Sequence, residues 1–481
     1  MRLPEVKEGP DLQPSAKGIA DLERRLLEAL DRIAQLEAEN ACLQQKLAAA
    51  LKNSSTSSKP PSSDIVKPKK PLPKGGKKRK KGGQPGHEQH LRSPFPPEAV
   101  NRFEPHTLDC CPDCGGALVL SRRVPEVLQQ VEIIDTPTVV TEHQGLAYWC
   151  PHCRKVHYAS MPEAVLKAGL FGPRLTALVA FMKGVCHASF STIRKFLRDV
   201  VRVEVSRGYL AKLIGKVSES LALAYAELFE RLPGEAVLNI DETGHKENGQ
   251  KFWTWCFRAQ VYTLFRIDKS RGSKVLIEVL GEEFNGVLGC DYFSAYRKYM
   301  RECDVLVQFC MAHLIRDVKF LLTLPGREVQ AYGQRLRDAL RNLFGVIHRR
   351  EKMSAAGFQK ALEAAREQVL KAATTRVPDT KQARNLAKRF RDNGEAYFRF
   401  ITTPGIDPTN NLAEQAIRFV VIDRHITQGT RSEKGRRWCE RIWTVIATCA
   451  QQGRAVFQFL LDSIQSHLYG TSPPSLLSSG P

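Results

Sequence analysis

Three carboxylates stand out by their position in the apolar pattern. Val237 to Gly244 reads VLNIDETG, an apolar run closed by Thr243 and Gly244. That is the pattern of a buried strand that ends at an acidic pair and delivers Asp241 to the edge of a sheet. Phe284 to Tyr292, FNGVLGCDY, repeats the arrangement, with Asp291 directly after the strand-like Gly286 to Cys290. In NNLAEQAIRFVV, Asn410 or Asn411 can cap a helix whose first turns carry Glu414. A carboxylate at the end of a buried strand is costly without a counter-charge, so two such aspartates point to a shared cation. With a glutamate from a helix they make an all-oxygen donor set suited to two Mg2+ (or Mn2+) ions. Paired ions of this kind drive phosphodiester chemistry.

The elements that must position these acids follow from the same pattern. KFWTWCFRAQ and VYTLFRID read as antiparallel neighbours, with Trp253 and Trp255 on one face and in the core. SRGSKVLIEVLG is a helix, and GVLGC is a strand parallel to the first, which brings Asp291 beside Asp241. VLVQFC is a further strand. MAHLIRDVKFLL is a helix with His313 and Arg316 three apart on one face, placed to contact a scissile phosphate or simply to face solvent. Residues 325–403 are helical in pattern and read as an insertion between the last strand and the Glu414 helix. Beyond it, Arg418, Arg424, His425, Arg431, Lys434, Arg436 and Arg437 are candidates to hold DNA phosphates, before an apolar helix from Ile442 to Leu461.

The 481 residues carry a net charge of +21 and are 42% hydrophobic, so the chain has a sizeable core and favours a polyanionic partner, nucleic acid before membrane. No uninterrupted apolar stretch approaches the roughly 20 residues of a membrane span, and the N-terminus has no apolar signal core. The expected location is the cytoplasm. Thirteen cysteines without a secretion signal favour thiols and metal ligation over disulfides. Cys111, Cys114, Cys150 and Cys153 form two CxxC knuckles suited to one structural Zn2+, with Cys110, His152 and His157 as possible substitutes and a redox pair as the competing reading. Ile19, Leu26, Ile33, Asn40 and Leu47 at a, with Leu22, Ala29, Leu36, Leu43 and Ala50 at d, form a heptad seam that predicts a parallel homodimer or higher oligomer. Between seam and knuckles, the run with Lys77, Lys78, Arg79, Lys80 and Lys81 lacks apolar residues and is expected to stay extended and follow a phosphate backbone. STIRKFLRDV and SRGYLAKLIGKV have helix-turn-helix spacing, with Ser206, Arg207, Tyr209 and Lys212 toward a groove or its phosphates.

Taken in order, SSKPPSSD, GGQPGHE, CPDCGG, CPHC, NIDETG, FWTWCF, SRGSKVLIEVLG, GVLGCDYFSAY, CMAHLIRD and NNLAEQAIRFVVI make the chain resemble the large transposase of the insertion sequence 66 family of bacterial mobile elements. The resemblance implies an α/β multidomain protein with a ribonuclease-H-like DDE core and Asp241, Asp291 and Glu414 as the catalytic and metal-binding triad. Gln415, where an arginine is expected, and the loose IDRHITQGT stretch depart from the pattern. The expected organisation is a coiled-coil zipper over 19–51, a basic disordered linker over 52–92 and a zinc module over 100–160. A helical, helix-turn-helix-like region over 165–230 follows, then a catalytic domain over 235–465 with its insertion at 325–403, and a disordered tail over 466–481. The implied activity is metal-dependent cleavage at terminal inverted repeats of double-stranded DNA and transfer into target DNA, near the nucleoid, with small accessory proteins as possible partners. The competing readings are an inactive or domesticated DNA-binding regulator and a structure-selective nuclease that cleaves without joining.

Overall fold

The computed structural model describes residues 16–52, 56, 94–104, 106, 109–110, 112–117, 119, 127–131, 134 and 137–477. The basic run from Lys77 to Lys81 and the knuckle residue Cys111 lie outside them. Two compact units divide the chain: Met1–Pro68 with Gly145–Lys195 and Val205–Pro481, and Lys69–Gln144 with Phe196–Glu204. In the smaller unit, Pro97–Ala99 form a 3-10 turn, the Gln129 side chain bonds both N–H and C=O of Phe95, and Leu197–Val201 form a π-helical turn.

The larger unit opens with α1 (Ala16–Ala50), whose seam residues Leu22, Leu26, Ile33, Leu36, Leu43 and Leu47 are exposed. Arg32 bonds Gln35 on its own helix. The hairpin β1 (Ala147–Cys150) and β2 (Lys155–Tyr158) follows. Next come α2 (Glu163–Ala168), α3 (Pro173–Gly184), α4 (Phe190–Phe196), α5 (Arg207–Ser220) and α6 (Ala222–Arg231). Among the described residues, Glu163–Gly184 is the stretch long and apolar enough to cross a membrane. Gly169, with φ 75°, and the Gly172-Pro173 step break it into α2 and α3, and α3 buries Ala177, Val179 and Ala180 within the fold.

The core is a five-stranded mixed sheet of β3 (Val237–Glu247), β4 (Gln250–Arg258), β5 (Thr263–Asp268), β6 (Val287–Cys290) and β7 (Leu306–Phe309) in the order β5-β4-β3-β6-β7. β3, β4 and β5 are antiparallel, while β6 and β7 run parallel to β3. The crossovers carry α7 (Lys274–Leu280) and α8 (Ser294–Glu302). β3 differs from the expectation. It does not end at the acidic pair but continues through Thr243 and Gly244 to Glu247, because β4 pairs with it from Asn239 to Glu247. What ends is its parallel partner: β6 pairs only up to Asn239, so Asp241 lies just beyond that neighbour. A Cβ at Gly289 in β6 would strike Nδ2 of Asn239, which is held in place by Asn410 Oδ1.

α9 (Met311–Leu321) leaves β7, and residues 325–403 supply α10 (Arg327–Ile347), α11 (Ala355–Thr374), α12 (Lys381–Asn393) and α13 (Arg399–Thr402). Gln308, buried in β7, ties them to the sheet by donating to Tyr397 O at 3.0 Å and accepting from Phe400 N at 2.9 Å. α14 (Asn411–Thr427), α15 (Glu433–Gln452) and α16 (Val456–Tyr469) complete the unit. The single apolar helix expected from Ile442 to Leu461 is two helices, broken at Gly453, whose φ of 68° terminates α15. The tail expected to be disordered over 466–481 is corrected in part: residues up to Tyr469 belong to α16, Leu476 is fully buried, and Arg454 and Gln452 donate to the carbonyls of Ser475 and Leu476.

α15 closes the outer edge of β5. The outward N–H groups of Thr263, Phe265 and Ile267 donate to Thr448 Oγ1, Thr444 Oγ1 and Glu440 Oε1 at 3.1, 3.0 and 2.8 Å. The spacing of four on the helix matches the spacing of two on the strand, so an edge that would otherwise invite another strand is satisfied internally. Thr444→Val keeps the shape but removes the acceptor for Phe265. The expected loss is about 1–3 kcal/mol, the desolvation cost of one buried unpaired donor, read as a lower urea midpoint at unchanged slope.

Candidate active site

Asp241, Asp291 and Glu414 meet at one end of the sheet. Asp241 lies on β3, Asp291 immediately follows β6, and Glu414 sits in the first turn of α14. Asn410 joins the three segments. It occupies the N-cap position of α14, as the sequence suggests, but its side chain caps nothing. Instead Nδ2 donates to Ile240 O at 2.7 Å, Oδ1 accepts from Asn239 Nδ2 at 3.0 Å, and its own N–H donates to Cys310 Sγ at 3.2 Å. Cys310 N in turn donates to Cys290 O at 2.8 Å, the residue before Asp291. A buried amide thus holds the Glu414 helix one residue from Asp241. Farther along α14, Arg424 donates to Thr243 Oγ1 at 3.0 Å and to Gly244 O, and Asp423 pairs with His187 Nδ1 at 2.8 Å.

Four acids share this end, and the fold compensates two of them. Glu242, almost fully buried, accepts from Arg271 Nη2 at 2.7 Å and Nε at 3.0 Å and from the Tyr296 hydroxyl. Arg271 lies between the rings of Trp253 and Phe293, at 4.4 and 3.9 Å from their centroids, so Trp253 works at the site margin while Trp255 is core. Glu414 faces His313 Nδ1 and Arg316 Nη2, each at 3.5 Å. Asp241 and Asp291 have no salt bridge among the described residues. Asp291 Oδ1 accepts the Phe293 N–H at 2.8 Å, and Asp241 Oδ1 that of Glu242 at 2.9 Å.

The consequence is electrostatic. Burial first, then the charges of Glu242, Asp291 and Glu414, pushes the Asp241 carboxyl well above its usual range. Burial first, then Glu242, pushes Asp291 up to about 6, against the Phe293 N–H and Arg271. Clustered carboxyls that resist ionisation together form a site whose charge a divalent cation would neutralise, and their oxygen-only donors fit magnesium or manganese.

The other candidates lie apart from this cluster or inside other contacts. Arg207, Lys212, Arg418, Arg431 and Lys434 are exposed. His313 and Arg316 are half-buried against Glu414 rather than open on a helix face. Ser206 caps α5 by accepting the Tyr209 N–H at 3.0 Å, and the Tyr209 hydroxyl accepts the Phe171 N–H at 3.2 Å while its ring packs edge-on to Phe171. Neither is free for a groove. In the β1–β2 hairpin, N–H groups of the turn, that of Cys153 foremost, hold the Cys150 thiol below its usual range, and Cys153 Sγ lies 3.2 Å from His157 Nε2. Two thiols on one tight turn fit half of a zinc site. Cys114 belongs to the smaller unit. The sequence offers one signal for three further residues, the closeness of Asn239 and Asn410 to the acids and of Cys310 to the His313 helix, and none for Arg271, which stands apart from the acids along the chain.

A carboxyl whose folded pKa exceeds its unfolded value of about 3.9 keeps its proton longer in the folded chain, so its contribution to stability falls as pH rises between the two values. For Asp291 that window runs from about 4 up to about 6. His245, pushed down to about 4 by burial and then by Arg424 and Arg436, acts in the opposite sense as pH rises from there to its unfolded value. Comparison with Asp291→Asn isolates the first effect. In chelator, the wild-type Tm is expected to drop relative to the variant across that window; a constant offset between the two curves contradicts the assignment.

Residues 168–437, which include all three acids, match the family described as the transposase IS66 family. Residues 109–154, spanning both CxxC knuckles, match the zinc-finger binding domain of transposase IS66, and residues 11–93 match a family of unknown function. A protein of Sinorhizobium fredii (strain NBRC 101917 / NGR234), described as uncharacterized protein y4qI, is 26% identical in an alignment 333 residues long that covers 61% of this chain and 59% of that relative. The chain thus matches less than two thirds of the relative's length. With more than half of its residues inside the catalytic-family match, the chain belongs to the IS66 transposase family.

Proposed function

We propose that the protein is a DDE transposase that cleaves DNA at the ends of an insertion sequence and joins the freed ends to target DNA. The observation that carries this reading is the convergence of Asp241, Asp291 and Glu414 at one sheet end, with no salt bridge to Asp241 or Asp291 among the described residues. A ribonuclease-H-like core is supported by the mixed sheet, in which three antiparallel strands precede two that return parallel to the first. Asp241, Asp291 and Glu414 would hold two divalent cations, whose chemistry is to stabilise the attacking and leaving oxygens of an in-line displacement. His313 and Arg316 orient the Glu414 carboxylate, and Asn410 fixes its helix against β3. In the first reaction water is added across a phosphodiester and a 3′ hydroxyl is released. In the second that hydroxyl displaces another at a target phosphate, so the number of phosphodiesters is conserved and no protein–DNA bond is required.

The exposed Arg207 and Lys212 of α5, with Arg418, Arg431 and Lys434 and the basic run Lys77–Lys81, would supply phosphate contacts on double-stranded DNA. Cys111, Cys114, Cys150 and Cys153 would hold one structural Zn2+. The exposed leucines of α1 support a coiled-coil dimer, since an apolar stripe on a single helix gains only by pairing. A bacterial cytoplasm with access to the nucleoid suits these contacts.

Asp241→Asn, Asp291→Asn and Glu414→Gln should each cut Mg2+-dependent end cleavage and strand transfer by roughly three orders of magnitude or more, as for members of a catalytic unit. Binding of the same DNA should persist. Retained strand transfer in any of the three would remove that residue from the triad, and a wild-type chain that binds this DNA without cleaving it would favour the regulator reading. The Arg207→Ala/Lys212→Ala chain should bind all DNA more weakly and lower the log–log salt slope by about 1 per lost phosphate contact. An unchanged slope would place DNA elsewhere.

A further inference from the structure

Cys310, His313 and Glu414 bring a thiol, an imidazole and a carboxylate within 4.8 Å of one another. They come from the N-cap and first turn of α9 and the first turn of α14. His313 Nδ1 and Glu414 Oε1 face each other at 3.5 Å, both are closed off from solvent, and neither has a hydrogen-bond partner. A buried imidazole and carboxylate left to themselves close to a hydrogen bond of about 2.7–2.9 Å. Two ligands of one Zn2+, each about 2.0–2.2 Å from it at a tetrahedral angle, lie about 3.4 Å apart. The gap between His313 Nδ1 and Glu414 Oε1 matches that spacing. Arg316 takes the other oxygen, Oε2, which leaves Oε1 to face His313. Cys310 Sγ accepts the Asn410 N–H at 3.2 Å and faces the N–H groups of His313 and Ala312 as well, and its remaining lone-pair density is what a metal would take.

We infer that Cys310, His313 and Glu414 form a second metal site of the zinc class, separate from the structural knuckles and sharing Glu414 with the magnesium set. The donors decide the class: thiolate and imidazole suit Zn2+ or Co2+, whereas Mg2+ takes oxygen ligands. Three protein ligands leave a fourth position open to water. With Oε2 on Arg316 and Oε1 on zinc, Glu414 would have no oxygen free for an ion at Asp241 and Asp291. Zinc would therefore act as an inhibitor of the Mg2+-dependent reaction. The inhibition rests on the proposed catalytic role of Glu414; the binding itself does not.

Cobalt is the probe. In a full-length Cys150→Ser/Cys153→Ser chain, which disables the knuckle site, Co2+ should still bind with a thiolate-to-cobalt charge-transfer band. Adding Cys310→Ser should remove that band. His313→Ala, which leaves the Asn410–Cys310 contact in place, should weaken cobalt binding at least about tenfold. A band that survives both changes, or no band in the knuckle variant, overturns the site. In the wild-type chain, Zn2+ added at fixed Mg2+ should suppress end cleavage, with the inhibitory concentration raised at least about tenfold by Cys310→Ser, which keeps an acceptor for the Asn410 N–H. Cobalt bound through Cys310 in a chain that never cleaves DNA would retain the site and count against the transposase reading. Cleavage without the cobalt band would do the reverse.

Discussion

Repulsion among four carboxylates at one end of a sheet is the constraint around which the structure is built. Burial first, and then the charges of the neighbouring acids, raises the proton affinity of Asp241 and Asp291. The fold neutralises Glu242 with Arg271 and Tyr296, and sets His313 and Arg316 against Glu414. Asp241 and Asp291 keep backbone N–H donors but no salt bridge among the described residues. A site that compensates its supporting charges and leaves two uncompensated is arranged for a cation to complete it.

Holding mutually repelling groups together requires that their elements be fixed by other interactions. Asn410 supplies the local one, with every polar side-chain atom committed to β3 and its N–H to Cys310. α15 supplies the more distant one by satisfying the outer edge of β5, so that the sheet is bound on both sides of β3. The helices of 325–403 grip β7 through Gln308 and α9 through the Arg389–Asp317 pair at 2.7 Å. Glu414 is therefore reached from three directions: through its own helix, through α9, and through the strand beside it. The proposed zinc-class site is a by-product of the same crowding, since the groups that hold Glu414 are themselves metal donors.

Membership of the IS66 transposase family agrees with this arrangement without explaining it. The acids lie inside the matched region, but it is the residues around them that set their charge. That distinction matters for Arg271 and Tyr296, which touch no proposed ligand directly. Without Arg271, Glu242 would be a buried, unpaired charge near Asp291, and the site would bind a proton more readily before it bound a metal.

Much of the framework was legible in the chain itself. Apolar runs ended by acids marked β3 and β6, and the period-2 and period-3.6 patterns separated the sheet from the helices of 325–403, because burial of one face leaves its period in the residues. Helix breaks and strand ends were less legible. Gly244 looked like a turn but lies inside β3, because its conformation is decided by pairing with β4, which no local run encodes. Gly453 split a helix that the apolar pattern drew as one, and Leu476 was buried in a tail whose composition suggested disorder. The identities of the three acids belong to the sequence. Their state of charge, and the turning of Asn410 from cap to cross-brace and of His313 and Arg316 toward Glu414, belong to the tertiary structure, since only through-space neighbours determine desolvation and Coulomb energy.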